Sequence, residues 1–231
     1  MSANPGVAPA TVLVVDDHAF LRRGLTQIID DLPEVAVCGE AAGVDETLAF
    51  LRDRQPDIVV LDISLADGNG LELTKEIKSL WPEIKVLISS MHDEALFAER
   101  ALRAGALGYV SKSDDVDAFI SALRCVREGR VYLSARMTER LLSRVAGGGP
   151  EPTRSPLQSL SDRELEVFEM IGRGQSTKQI AAQLDLSRKT VETYREHIKS
   201  KLALRNGAEL TQHAVQWVLE QSPGEDDGAA S

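Results

Sequence analysis

Aromatic side chains supply only 4% of this chain, two Trp, three Tyr and five Phe among 231 residues. Its cores must therefore be aliphatic, a composition common in α/β domains. Cysteine is nearly absent too. Cys38 falls in an apolar strand-like run and Cys125 in a helix-like one, without the spacing of a metal site. Two unpaired thiols fit a reducing compartment. No apolar run approaches the ~20 residues that cross a bilayer. The start, MSANPGVAPATVLVVDD, lacks the basic region and long apolar stretch of a signal peptide. A cytoplasmic protein with no membrane contact is expected. The length allows one or two domains, each large enough to bury a core.

Charge is unevenly spread. Of the net charge of −10, residues 10–128 account for all, with 12 Lys/Arg against 22 Asp/Glu, whereas residues 157–221 hold 9 of each. The two halves face different partners, and a nucleic acid would meet the second.

In the first half, apolar runs alternate with helical stripes. Val12 to Val15 reads as a buried strand ending on Asp16 and Asp17, followed by a helix from Phe20 to Ile29. A short strand, Val35 to Cys38, and a helix, Val44 to Leu51, come next. The stretch PDIVVLDISLADGNGL, residues 56–71, is the centre of the pattern. Its run Ile58 to Leu61 does not alternate, which predicts a strand covered on both faces. Asp62 closes that strand at the edge where open parallel sheets bind ligands; taken alone, it is equally a turn residue. A helix over 71–80 stops at Trp81-Pro82. The strand Ile84 to Ile88 runs into Ser89, Ser90, Met91 and His92, and a helix from Glu94 to Ala104 ends at Gly105. Leu107 to Val110 is the last strand, then Lys112, then a helix from Asp114 to about Arg127.

Five strands alternating with five helices imply an α/β domain with a doubly wound, five-stranded parallel sheet, flavodoxin-like in strand order 2-1-3-4-5. That order brings Asp16, Asp17, Asp62, Ser90 and Lys112 to one edge. Three carboxylates there repel one another unless a cation sits among them, and oxygen donors suit Mg²⁺. A lysine and a hydroxyl complete what a transferring phosphoryl group needs, with Asp62, alone on the central strand, as the carboxylate nucleophile. Carboxylates that merely cap helices are the competing explanation.

The segments VVDD, VVLDISLADGNGL, ISSMHD and GALGYVSK resemble the receiver domain of two-component response regulators along its whole length, including the spacings from Asp62 to Ser90 and from Ser90 to Lys112. The resemblance implies that Asp16, Asp17 and Asp62 bind Mg²⁺ and that Asp62 accepts a phosphoryl group from a histidine kinase. It also implies that Ser90 and Lys112 contact the phosphoryl oxygens, with Tyr109 turning inward as the switch; bare Tyr109 is equally a strand-end surface aromatic. Ala66 and Ser113 stand where many receivers carry Pro, which loosens the loops without removing a reacting group. Ser89 adjoins Ser90, so the hydroxyl is assigned by spacing alone. Ser64 and His92 would flank the phosphoryl group and tune its lifetime, although an exposed loop position suits His92 better than a catalytic base.

Residues 129–156 read as a junction, with a helix over 134–145 and then a Gly/Pro linker, Gly147 to Pro150 and Pro152 to Pro156. Residues 1–9 and 221–231 are expected to be disordered. The second domain, 157–220, begins with a capping box, Ser161 and Glu164. Ser176 and Ser187 cap a second and a third helix, and a fourth follows Asn206. Four short helices with a tight turn before the third form a small all-α helix-turn-helix layout. On the third helix Val191, Tyr194, Ile198 and Leu202 share the inner side. Lys189, Glu192, Thr193, Glu196 and Ser200 lie opposite, where a major groove would be read, and Thr190 belongs to the same contact set. Arg188, Arg195, Lys199 and Lys201 flank that face, and the helix starts at Thr177, Lys178 and Ser187 offer N–H groups to phosphates. The run LSDRELEVFEMIGRGQSTKQIAAQLDLSRKTVETYREHIKSKL resembles the LuxR-type (NarL/FixJ class) DNA-binding domain. Glu192 and Glu196 are awkward on a reading face: a glutamate accepts from cytosine N4 but repels phosphates. A helical bundle for protein contact is the alternative.

Together these readings imply a response regulator of the LuxR/NarL/FixJ class, a DNA-binding transcription factor of a two-component phosphorelay activated at Asp62. Partners are a sensor histidine kinase, double-stranded DNA and a second copy of the chain when phosphorylated. Turnover of an external substrate is not expected. Added charge at Asp62 would pull Ser90 and Tyr109 inward and unmask the third or fourth helix of the second domain for dimerisation. Trp217 and Val218 belong either to that dimer contact or to packing within the domain. An aspartyl-phosphate hydrolase would need a second Asp where Ser64 stands, and a regulator indifferent to phosphate would ignore Asp62→Asn.

Overall fold

The computed structural model describes residues 8–145, 156–184 and 186–221. Most of the expected Gly/Pro linker, most of both expected disordered termini, and Asp185 lie outside these residues. The chain divides into two compact units, Met1–Glu151 and Pro152–Ser231.

The first unit is built on a sheet of five parallel strands: β1 (Ala10–Val15), β2 (Val35–Ala41), β3 (Ile58–Leu61), β6 (Lys85–Ser90) and β7 (Gly108–Ser111), ordered β2-β1-β3-β6-β7. This is the expected 2-1-3-4-5 order. Ile58, Val59, Val60 and Leu61 are all buried, as a strand covered on both faces requires. The covering helices are α1 (Ala19–Asp30), α2 (Val44–Asp53), α3 (Gly70–Leu80), α4 (Glu94–Ala104) and α5 (Val116–Arg127). β2 runs three residues past its expected end and pairs with β1 up to Val15. Parallel register sets Val15 beside Leu61, Leu61 beside Ile88, and Ile88 beside Tyr109. The residues that follow this row therefore emerge together at one edge.

Between β3 and α3 a two-stranded hairpin, β4 (Ser64–Leu65) with β5 (Gly68–Asn69), occupies the expected turn. Gly70 is obligatory there, because a Cβ would come within 2.0 Å of the Asp62 carbonyl oxygen. Asp67 stands in this hairpin, in a turn-type Asp-Gly pair. Its carboxylate accepts from Val44 N at 2.8 Å and Asp45 N at 3.2 Å, so it caps α2, whose own N-cap is the side-chain-less Gly43.

Beyond α5 the chain returns to the sheet edge, where Tyr132 pairs with Gly108 in a parallel bridge. The helix α6 (Ala135–Val145) follows. The Ser134 side chain accepts from Met137 N at 3.1 Å, while the Glu94 carboxylate receives both Ser134 N–H, at 3.0 Å, and its hydroxyl, at 2.5 Å. Among the described residues no helix is long and apolar enough to cross a membrane.

The second unit opens with a 3₁₀ turn, Pro156–Ser159, at the end of the expected linker. Its helices are α7 (Asp162–Gly172), α8 (Thr177–Gln183), α9 (Arg188–Lys201) and α10 (Gly207–Gln221). Capping boxes Ser161/Glu164 and Ser176/Gln179 start α7 and α8, and Ser187 caps α9. The core is Leu165, Phe168, Ile171, Ile180, Val191, Ile198, Leu210 and Ala214. Trp217 tilts onto Phe168 with ring centroids 5.7 Å apart, so it is engaged in packing within its own domain.

Glu164 also ties α7 to α9. It is buried, and its Oε2 receives Lys201 Nζ at 2.6 Å and Ser161 N at 2.7 Å. Burial pushes this carboxyl up, but the hydrogen bonds from Lys201 and Ser161 outweigh it and the net shift is downward. A carboxyl lowered on folding stabilises above its unfolded pKa, and the stabilisation is lost as pH falls through the lower folded value. Acid titration of unfolding should therefore show the second unit weakening below about pH 4.5. Glu164→Gln should lose stability at neutral pH and flatten that slope; an unchanged slope in the variant contradicts the assignment.

Candidate functional site

Where β1, β3 and β7 end, four of the expected side chains converge, Asp16, Asp17, Asp62 and Lys112. Asp16 and Asp62 are 1% and 4% exposed. The Lys112 ammonium lies between them, 2.7 Å from Asp16 Oδ2 and 2.6 Å from Asp62 Oδ2. Only the contact to Asp62 is aligned as a hydrogen bond; the one to Asp16 is an ion pair off the hydrogen-bonding direction. Asp16 Oδ1 accepts from His18 N at 2.8 Å, and Asp17 Oδ1 lies 2.7 Å from His18 Nδ1.

Asp16, Asp17, His18 and Asp62 each offer a ligand atom within 4.8 Å of the others. The sequence reading missed His18, whose neighbours alone signalled the cluster. Three carboxylates against one ammonium leave excess negative charge that a divalent cation balances. Asp62 Oδ1 is buried without a hydrogen-bond partner among the described residues. Such an orphaned carboxylate oxygen fits a hard, oxygen-seeking ion.

The strand pleat separates the two serines that spacing alone assigned. Ser89 lines a cleft between α1 and α5 with Phe20, Leu25, Ile28 and Phe119. Ser90 lies toward His92, whose N–H approaches its Oγ at 3.5 Å. Lys112 N donates to Ser90 O at 2.9 Å, so β6 and β7 hold hydroxyl and ammonium in fixed relation.

Tyr109 is fully buried rather than a surface aromatic, and its hydroxyl donates to the His92 carbonyl at 2.6 Å. Burial, then the charges of Asp62, Asp93 and Glu94, push this phenol well above its ordinary range, with Ser90 opposing. Tyr109 thus lies inward, tied to the residues that lead into α4. The expectation of an exposed His92 fails. It is 8% exposed, stacked on Phe97 at 4.4 Å, and its Nε2 lies 2.8 Å from Ser64 Oγ. Neither contact was visible from an isolated histidine after a strand.

On α9, Arg188, Lys189, Glu192, Thr193, Glu196 and Ser200 are exposed, whereas Val191 and Ile198 are buried and Thr190, Tyr194 and Lys199 half-buried. The expected inner and outer faces are thus realised. The flanking cations are less free than expected. Lys201 is bound to Glu164, Lys199 Nζ lies 2.8 Å from Glu196, and Arg195 is four-fifths covered and 3.7 Å from Glu192. Thr177 Oγ1 donates to Glu192 Oε1 at 2.8 Å. Lys178 is exposed, and Ser187 Oγ accepts from Thr190 N at 3.0 Å.

Removing Lys112 tests the electrostatics of the first site. Breaking a buried pair by deleting one partner costs about 3–5 kcal/mol. Lys112→Met should destabilise the first unit on that scale in chemical denaturation, with Mg²⁺ recovering part of the loss. A variant as stable as the parent without Mg²⁺ would show that these ion pairs do not carry that stability.

Comparison with known proteins accords with both units. Residues 12–124 match the response regulator receiver domain family and residues 158–214 the luxR family of bacterial regulatory proteins. The chain is 36% identical over 206 residues to the response regulator UvrY of Escherichia coli K12, covering 89% of this chain and 93% of that protein. A LuxR-family two-component response regulator from Aurantimonas is 34% identical over 60% of this chain and 99% of its own, with a TM-score of 0.56. RcsB of Salmonella enterica serovar Typhimurium, solved bound to the rprA promoter with a phosphomimetic, shares the fold at TM-score 0.69 and 22% identity over 90% of this chain and 99% of its own. The chain belongs to the transcriptional response regulators that join a receiver domain to a LuxR-family DNA-binding domain.

Proposed function

We propose that a histidine kinase phosphorylates Asp62 and that this modification controls dimerisation and DNA binding by the second domain, in the bacterial cytoplasm. The observation that carries the reading is the buried, unpartnered Asp62 Oδ1 beside an ammonium that already faces the same pocket. An Asp62 carboxylate oxygen forms the new bond to phosphorus while the bond from phosphorus to the kinase imidazole breaks, its electron pair returning to the ring nitrogen. Asp16, Asp17 and Asp62 would hold Mg²⁺, which supplies charge neutralisation to the phosphoryl oxygens.

Lys112 is placed to leave Asp62 Oδ2 for a phosphoryl oxygen once the carboxylate is esterified. Ser90, on the same side as Tyr109 and His92, supplies the hydroxyl contact. The Tyr109 bond to the His92 carbonyl then links any movement of Ser90 to the start of α4. The phosphoryl group leaves by slow hydrolysis, whose rate Ser64 and His92, in contact with each other, would tune. No external substrate is turned over.

In the second domain, α9 enters the major groove with Lys189, Glu192, Thr193 and Glu196. Lys178, Ser187, Arg188, Thr190 and Lys199 surround that face toward the backbone, and Thr177 stands beside Glu192. Functional boundaries of 10–128 for the receiver, 129–156 for the junction and 157–220 for the DNA-binding domain accord with the two matched segments.

The test is incubation of the full chain with Mg²⁺ and a small phosphodonor, followed by intact mass and DNA binding. Wild type should gain one phosphoryl group and bind DNA more tightly, and Asp62→Asn should do neither. An unmodified wild-type mass under saturating donor, or a variant that responds normally, would overturn the proposal.

A further inference from the structure

The turn of the helix-turn-helix brings Thr177, the first residue of α8, against Glu192 on the exposed face of α9. Fifteen residues apart in sequence, they meet at 2.8 Å, hydroxyl to Oε1. The other carboxylate oxygen faces Arg195 Nε at 3.7 Å. Arg195 is four-fifths covered and lies near the start of α10, its Nη2 3.8 Å from where a Gly207 Cβ would stand. Glu192 is thus held at one oxygen by a hydrogen bond from the neighbouring helix, with Arg195 near the other, while its side chain stays 56% exposed.

Glu196, one turn further along, differs. Its partner is Lys199 on its own helix, with Glu196 67% exposed, a pairing that exchanges readily with water and phosphate. The N-terminal half of a recognition helix contacts base edges, and Glu192 is the restrained acid of that half.

We infer that Glu192 is a specificity residue that selects cytosine at one position of each half-site, and that Thr177 is its positioning residue rather than a phosphate contact. The inference rests on the DNA-binding reading above. Its chemistry follows from the groove. Cytosine presents an amino donor there, whereas guanine presents two acceptors and thymine a carbonyl, both repelled by a carboxylate. Adenine offers an amino group beside the N7 acceptor, an intermediate case. A freely rotating glutamate would fold away from the groove or turn toward a cation. A carboxylate held by the neighbouring helix keeps its remaining lone pairs at a fixed depth, and this preorganisation makes the discrimination effective.

The experiment uses the full chain, phosphorylated with Mg²⁺ and a small phosphodonor, on a randomised double-stranded DNA library. The best site is then made with each base pair at every position, and affinities are measured by fluorescence anisotropy at several salt concentrations. Wild type should prefer cytosine at one position per half-site by at least about fivefold. Glu192→Ala should abolish the preference there alone, Thr177→Val should reduce it several-fold, and Thr177→Ser should restore it. Equal weakening of all sequences by Thr177→Val, with the cytosine preference intact, would make Thr177 a phosphate contact and overturn the assignment. So would a cytosine preference that survives Glu192→Ala. A wild-type protein that selects no sequence overturns the DNA-binding reading itself, which is a separable result.

Discussion

The first domain depends on one ammonium held between two buried carboxylates. Lys112 is 5% exposed on its side chain, as is Asp62, and Asp16 is 1% exposed. Ions withdrawn this far from water cost several kcal/mol each unless partners replace the lost hydration. One cation does not fully offset Asp16, Asp17 and Asp62, so the edge of the sheet keeps residual negative charge and an oxygen with no partner. A stable core would avoid that arrangement. It persists because the register of β1, β3 and β7, secured by the apolar rows beneath, leaves the charges no other place to go. The Gly70 contact with the Asp62 carbonyl reinforces this, since the hairpin closes so tightly that backbone carries the constraint.

How far the sequence revealed this differs by residue. The doubly wound sheet was readable because Ile58 to Leu61 is apolar without alternation, and three of the other four strands lead into a polar residue, Asp16, Ser90 or Lys112. The edge followed once the order of strands was assumed. What local pattern does not carry is contact between segments. Asp67 looks like a turn residue, yet it caps a helix that begins 23 residues earlier. His92 looks exposed because it follows a strand in a polar loop, whereas Phe97 and Ser64 cover it. Ser89 and Ser90 are indistinguishable in composition and are separated only by the pleat, which sends adjacent side chains to opposite faces.

The same limit applies to the helices of the second domain. Periodicity identified the exposed face of α9, and Ser161, Ser176 and Ser187 marked three helix starts, because both signals are local. The cations proposed for phosphates were counted correctly but not placed. Lys201 is drawn to Glu164, and Arg195 is mostly covered. Ion pairing within the domain consumes charge that a sum over residues treats as available.

This consumption bears on the regulation proposed above. A domain with nine cations, nine acids and several internal pairs releases few counterions on meeting DNA, so nonspecific affinity is low and salt dependence shallow. Under the proposed dimeric mode, binding would then come from base contacts and from two domains engaging two half-sites together, where the second contact is made at high effective concentration. A strongly basic domain would bind as a monomer and leave the receiver little to control. If phosphorylation biases the receiver toward dimerisation, as proposed, weak single-domain affinity would let a modest bias change occupancy steeply. The acids on α9 would then serve the switch as well as the reading of sequence, which would explain why a DNA-binding helix tolerates them.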